Sequence, residues 1–596
     1  PLHYMNPLFQ VLTGGALLGA TFIAICSFLP LYLAPASVAE IVKPLFVVLA
    51  VSLGLSWILA LCQTTTFGNF ILKEAVPGGA MKDPYDTKLY HRFEKFLTLL
   101  IKRRFVTLTT VFVTLVLSLV IMAVMPQSFF PKMNKPYFRA DLVFPEGFSI
   151  HAVDQDVMKV EDYLKNHEKV KSYSVTLGGT PLRYYLASSS FGPKSNYANV
   201  MVETKDPEDA AEVEQQFYEH MTQNFPNIIT RSALFALSPV PEAAIEIGFI
   251  GENPDTLTAL VERAKKIARQ CDMVTDIRSN WGDKVPVWKP MFSQQKGLRL
   301  GITRQQVANS FRTATNGLPL GEYREGDVSL PILLKDEDVE KMNLNDVKSV
   351  PVFSTKGNSV KVEQVIDNFA LGYDYNVVRR FNRERCMMMQ CEPKRGANTM
   401  AAFKQVLTAV QEQMQLPEGY KMKYFGEQET QDVSNAALAK NIPLTFLLIY
   451  VVLLFLFPSN YRKPVLIMLM LPLVFIGVVW GLLLFGKSLD FFAILGLLGL
   501  IGMNIKNAIV LVDEIGLQLK DGKGAVPAVV EATKTRIVPV TMASGTTILG
   551  MLPLLGDAMF AGMAATIMGG LFVSTVLTIF VLPVTYCIFF KIRADR

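Results

Sequence analysis

Lys506 is the residue that most needs a chemical account, in the stretch GLLGLIGMNIKNAIVLVDE from Gly496 to Glu514. It stands in an otherwise apolar run with Asn504 and Asn507 beside it. On a helix Gly496, Gly499, Gly502 and Lys506 share one stripe, and Asp513 follows two turns on. Glycines on that face predict close approach of neighbouring helices, so Lys506 is expected to face protein rather than lipid. An unpaired lysine near the middle of a span costs at least ~2.5 kcal/mol. It therefore needs a carboxylate partner, or it must be neutral for part of a working cycle. No Asp or Glu lies deep in any apolar run; Asp490, Asp513 and Glu514 stand at run ends, where the interface is expected. Thr541, Ser544 and Thr547 line the next run with hydroxyls, and Arg536 stands at its mouth. Two readings stay open: Lys506 couples ion movement to work, or it is static glue in a buried ion pair.

A second stretch, CMMMQC from Cys386 to Cys391, has thioether and thiol groups that suit Cu(I). In a strand, however, Cys386 and Met388 face one way and Met387, Met389 and Cys391 the other. A strand buried on both faces accounts for it better, and we assign no metal site. The six cysteines follow no disulfide spacing. A Ser/Gly/Pro-rich loop, ASSSFGPKSNYANVMVETKDP, holds Phe191 and Tyr197, which either contact a ligand or pack the loop down.

The elements that position these residues follow from composition. With 51% hydrophobic and 18% charged residues and a mean hydropathy of +0.30, the 596-residue chain reads as an integral membrane protein. A span needs about 20 apolar residues, and eight runs approach that, at about 12–33, 43–63, 105–125, 442–457, 464–485, 491–512, 537–555 and 563–590. The net charge of +6 forms no basic, aromatic-interleaved patch, so no nucleic-acid partner is expected. Lys and Arg concentrate after the second run, in SNYRKP, between Asp513 and Arg536, and in the tail KIRADR, which places those segments in the cytoplasm. The large 126–438 region then falls on the far side. Leu89, Phe93, Phe96, Leu97 and Leu100 recur at helical spacing among Lys88, Arg92 and Lys95, a pattern for a helix lying in the interface. The N-terminus PLHYMNPLFQ carries no initiating Met and no signal-peptide pattern, and we expect the chain to be part of a longer protein.

Region 126–438 shows a strand–helix–strand pattern three times, beginning at YFRADLVFPEG, AAIEIGFIGENP and RCMMMQCEP. That predicts several ferredoxin-like α+β subdomains. The piece at about 318–352 has strand and turn character and is expected to be a separate docking module. The fold class is therefore a polytopic α-helical membrane bundle of about eight spans with a large α+β extramembrane domain. We divide it into a hairpin at 1–72, an interfacial helix and linker at 73–104, a span at 105–125, α+β subdomains at 126–438 with docking near 313–360, and a five-helix bundle at 439–596.

IGMNIKNAIVLVDE resembles the tenth transmembrane helix of resistance–nodulation–division (RND) multidrug exporters of the hydrophobe/amphiphile type. RIVPVTMASGTTILGMLPL is similar to their eleventh, GALLGATFIAICSFLPLYL to their fifth, and the order of elements matches from there to the C-terminus. The resemblance implies a secondary transporter rather than an enzyme: a proton/drug antiporter of the Gram-negative inner membrane with its large domain in the periplasm. It implies a homotrimer with a periplasmic adaptor and an outer-membrane channel, amphiphilic substrates, and no cofactor beyond the coupling proton. Carried over by position, Lys506 is the relay lysine, Asn507 its neighbour and Arg536 the arginine near the proton path. The usual Thr–Ser pair of the eleventh helix reads Ala543–Ser544 here, so Thr541 or Ser544 supplies the hydroxyl. The family's paired aspartates would precede Pro1, and on that reading these 596 residues do not transport alone. Phe191 aligns with the switch loop, and Met201 with a pocket position that is often aromatic. Heavy-metal exporters of the superfamily typically carry Glu at the position of Lys506. Copper or silver export is the alternative activity, and an RND-like protein-translocation or scaffold role is a third.

Overall fold

The computed structural model describes residues 7–33, 37–71, 85, 87–127, 133–183, 193–235, 242–336, 346–354, 357–458 and 460–592. Among them seven helices are long and apolar enough to cross a membrane. The first of the eight expected runs is occupied by α1 (Pro7–Ser27) and α2 (Leu29–Leu33), with Leu17–Leu33 a shorter apolar stretch among the described residues. Pro30 has no N–H and its ring crowds the carbonyl four residues back, so the helix restarts there. α3 (Ser37–Ile71), α4 (Lys88–Lys102) and α5 (Arg104–Val124) follow. Thr87 caps α4 by accepting from the Tyr90 N–H, and Phe93, Leu97 and Ile101 bury one face of it against the bundle.

β1 (Tyr137–Val143), α6 (Ile150–Lys165), β2 (Val170–Leu177), β3 (Tyr197–Thr204), α7 (Asp209–Asn224) and β4 (Ile229–Leu234) form one layered piece. Its antiparallel sheet has the order β2-β3-β1-β4. Alternation on β1 buries Phe138, Ala140 and Leu142. These meet Val153, Val157, Val160 and Leu164 of α6 and Val213, Phe217 and Met221 of α7. Each large apolar side chain buried this way contributes about 1.5–3 kcal/mol.

β5 (Ile245–Ile250), α8 (Pro254–Ala268) and β6 (Val274–Ser279) begin a second sheet, which the chain leaves and later rejoins. Between the two visits lies a compact unit of its own, Ser279–Arg380. It contains β7 (Lys284–Phe292), α9 (Gln294–Leu300), α10 (Arg304–Thr313), β8 (Leu318–Glu325), β9 (Val328–Leu334), β10 (Pro351–Phe353), β11 (Ser359–Lys361) and β12 (Ile366–Tyr375). β7 pairs with β12, and Ile302, Val307, Val352, Val362 and Val365 form its core. The strand-and-turn piece at 318–352 is thus part of a longer unit, and β8–β9 is an exposed hairpin within it.

β13 (Arg380–Phe381), β14 (Glu384–Pro393), α11 (Thr399–Gln413) and β15 (Lys421–Gly426) complete the second sheet in the order β13-β14-β5-β15, with β6 on β14. β5 lies between β14 and β15, and all six of its residues are buried. The three expected repeats are therefore arranged differently. The first is completed by β3–α7–β4, and the second and third combine in one sheet. α7 escaped the sequence pattern because it places only a narrow row, Val213, Phe217 and Met221, on the core.

Gly426 joins β15 directly to α12 (Glu427–Leu456). Its φ is +82°, and a Cβ there would lie 2.8 Å from the Ala244 carbonyl oxygen, so no other residue fits the corner. The run at 442–457, which looked short, is the end of this 30-residue helix. α13 (Arg462–Leu469), α14 (Val474–Leu484), α15 (Phe491–Lys520), α16 (Ala525–Met551) and α17 (Ala561–Phe589) complete the chain.

Charge ties the two sheets together. Arg278 on β6 pairs with Asp276 and donates through Nη2 to the Glu242 carbonyl at 2.9 Å and to Glu392 Oε1 at 3.3 Å. Arg231 on β4 reaches the same carbonyl at 3.2 Å. Beside them Gln390 Nε2 donates to Glu246 Oε1 at 2.8 Å, and burial pushes the Glu246 carboxyl up to about 7. A second tie runs from Arg395 to both oxygens of Glu214, at 2.5 and 2.6 Å, with its guanidinium 4.4 Å above the Tyr218 ring.

Candidate functional site

α15 is built to lie close to its neighbours. Asp490 caps it, its Oδ1 accepting from the Ala493 N–H at 2.7 Å. A Cβ on Gly502 would stand 2.8 Å from Ala24 Cα of α1, and one on Gly496 would stand 3.1 Å from the Met563 carbonyl oxygen of α17. The glycine face therefore packs as its spacing predicts.

Lys506 does not share that environment. It is exposed, and it makes no ion pair or hydrogen bond among the described residues. Gly502 and Gly496 touch α1 and α17 because they lack side chains. Asn507 is half-buried and likewise unbonded, while Asn504 is buried, its Oδ1 accepting from Thr578 Oγ1 at 3.5 Å.

The hydroxyl row of α16 is only partly where it was expected. Thr541 is exposed, and its Oγ1 donates to the Ile537 carbonyl of its own helix at 2.6 Å. Ser544 is buried and accepts from Thr575 Oγ1 of α17 at 2.6 Å. The structure thus joins Ser544 to α17 and does not join either hydroxyl to Lys506. Sequence reading missed the buried Ser574, Thr575 and Thr578 of α17, although polar groups spaced by three and four in an apolar run were a visible signal.

Arg536 is occupied. Its Nε donates to Glu514 Oε2 at 3.0 Å and its Nη2 reaches the same oxygen, while Gln518 Nε2 donates to Glu514 Oε1 at 2.9 Å. Glu514 is buried against its protein neighbours. Among the described residues, α15 therefore carries an answered carboxylate near one end and an unanswered ammonium nearer its middle.

Of the three residues expected to meet substrate, the two described ones stand on β3. Phe191 lies outside the described residues. Tyr197 does not ride on the loop; it begins β3 and is buried, its hydroxyl donating to Asp141 Oδ1 at 2.6 Å. Burial and that carboxylate push its phenol up. Met201 is half-buried in mid-strand, opposite Arg139 on β1 and Ser174 on β2. Cys386 and Cys391 are buried on β14, and burial pushes their thiols up to about 11 and about 12, which keeps them protonated.

Against known proteins, residues 11–590 match the AcrB/AcrD/AcrF family. The multidrug export protein AcrF of Escherichia coli is 23% identical over 96% of this chain and 57% of its own length. The nickel and cobalt resistance protein CnrA of Cupriavidus metallidurans is 27% identical over 59% of this chain and 33% of its own. The swarming motility protein SwrC of Bacillus subtilis is 22% identical over 97% and 55%. The chain thus spans between a third and somewhat over half of the length of these relatives. A crystal structure of a heavy metal efflux pump superposes with a TM-score of 0.77 at 18% identity, covering 98% of this chain and 58% of that one, a likeness of fold.

Proposed function

The chain belongs to the AcrB/AcrD/AcrF family of RND permeases, and on that premise we propose that it serves a proton-driven exporter of amphiphilic compounds. The observation that carries this reading is Lys506: an ammonium without a partner among the described residues, on a helix long and apolar enough to cross a membrane. Such a group responds to protonation elsewhere by gaining or losing an ion pair, and no covalent chemistry is needed. Ser544, Thr541 and Asn507 are the polar groups of the relay in this proposal, and Arg536 acts through its pair with Glu514. The rigid β15–α12 junction carries helix movement to the second sheet, whose displacement relative to the first changes access to substrate at a site that includes Phe191, Tyr197 and Met201. We place the bundle in the inner membrane of a Gram-negative cell and the sheet-rich part, with ferredoxin-like subdomains, in the periplasm. The assembly is a homotrimer with an adaptor and an outer-membrane channel.

Heavy-metal export is the second reading, favoured by the likeness to CnrA. Protonated thiols at Cys386 and Cys391 and a cation at Lys506 count against it. The test is Lys506→Ala in the permease as its native cell makes it. Resistance to amphiphilic drugs should fall to that of a deletion strain, with protein level and oligomeric state unchanged. Retained drug export would overturn the relay role, and sensitivity to nickel, cobalt, copper or silver alone would favour the second reading.

A further inference from the structure

Helix α4 divides most of its surface in three, with exposed Leu99 standing among the cations. With 3.6 residues per turn, Lys88, Arg92, Lys95 and Lys102 fall within about 80° of one another. Phe93, Leu97 and Ile101 occupy the opposite side and are buried on the bundle, with Phe93 5.6 Å from the Phe580 ring of α17. Between the two lie Leu89 and Phe96, which are 71% and 50% exposed. The four cations and the adjoining Arg103 are exposed, and none of the five has a side-chain partner among the described residues. Glu94 is the sole acid on the helix. An ordinary solvated helix would answer such a row with acids three or four residues away.

What covers this row follows from chain continuity. α4 ends at Lys102 and α5, a helix able to span a membrane, starts at Arg104 after a single break at Arg103, where φ is −95° and ψ is 39°. The row therefore ends at a membrane boundary, and exposed Leu89 and Phe96 flank it on the side where acyl chains would lie. We propose that the Lys88–Arg92–Lys95–Lys102 row of α4 is a docking strip for anionic phospholipid headgroups, with Leu89 and Phe96 inserted beside them. A cation near an anionic bilayer surface gains favourable interaction that falls off within a Debye length. Because the buried face of α4 packs on α16 and α17, lipid charge would bear directly on the helix bundle.

The proposal rests on reading α5 as a membrane span, and one experiment separates the two. The permease carrying Leu89→Trp is placed in nanodiscs of phosphatidylcholine with or without phosphatidylglycerol, either lipid being brominated to quench the new fluorescence. Quenching by brominated phosphatidylglycerol should exceed that by brominated phosphatidylcholine by about twofold or more at low salt and lose that excess at high salt. Combining K88Q, R92Q, K95Q and K102Q should abolish the preference but keep the phosphatidylcholine signal. K88R, K95R and K102R together should preserve the preference, which guards against a folding defect in the glutamine variant. Equal quenching by both lipids, as expected if the row serves an acidic protein instead, would overturn the docking strip alone. Quenching by neither would overturn the membrane reading as well.

Discussion

Arg278 and Lys506 carry the same charge into different settings. Arg278 lies between two sheets, where Asp276, Glu392 and the Glu242 carbonyl all accept from it. Lys506 lies on a helix fit to cross a membrane and has no such acceptor among the described residues. An answered charge holds its surroundings in one arrangement, because moving any partner strands another in low dielectric. An unanswered one leaves its helix responsive to whatever charge approaches. The contrast separates the part of the molecule that fixes geometry from the part proposed to change it.

The comparison is broken most severely at Arg278. Arg278→Ala takes the guanidinium from Glu392 and leaves Asp276 only Arg231, whose Nε is 3.8 Å away, and should destabilise the sheet-rich part by about 3–5 kcal/mol, the usual effect of removing one member of a buried ionic group. Thermal unfolding followed by circular dichroism measures it, and a change well below 1 kcal/mol would show that the tie is dispensable.

Glu246 tests the same region through pH. Its carboxyl is raised from 4.5 to about 7 in the folded chain, chiefly by burial, so the folded state binds the proton more tightly than the unfolded one. The contribution is present at low pH and is lost as pH rises from the unfolded value to the folded one. At about 1.4 kcal/mol per pKa unit, the loss amounts to at most about 3.5 kcal/mol. Glu246→Gln should flatten that part of the stability–pH curve, and an unchanged slope in the variant would assign the titration to another group.

The smallest effect is expected on α15 itself. Glu514→Gln leaves Arg536, which is partly exposed, without its carboxylate and should lower stability by about 1–2 kcal/mol. Adding Arg536→Gln should then do little further harm, because the double-mutant cycle removes both ends of one interaction. Full additivity would mean that the pair is not coupled.

Much of this molecule was legible from local pattern. Seven of the eight apolar runs became helices able to cross a membrane, and the first became α1 and α2, which part just before Pro30. CMMMQC was legible as a doubly buried strand because its alternation placed apolar groups on both faces. Tyr197 was misread as a loop residue because Gly, Ser and Pro precede it, yet pairing with β1 and β2 extends the strand back to it. Ser544 was legible as a hydroxyl on α16, but its partner Thr575 was not foreseen.

By itself the sequence determined which segments are apolar, which helix carries an ammonium, and where cations gather on α4, since periodicity and composition are local properties. The tertiary structure alone decided that Arg231 and Arg278 share one carbonyl, that Glu514 takes Arg536, and that two sheets account for three repeats. Those outcomes depend on which elements pack together. An apolar face states that it must be covered, and a charge that it must be answered, but neither names the distant residue that does so.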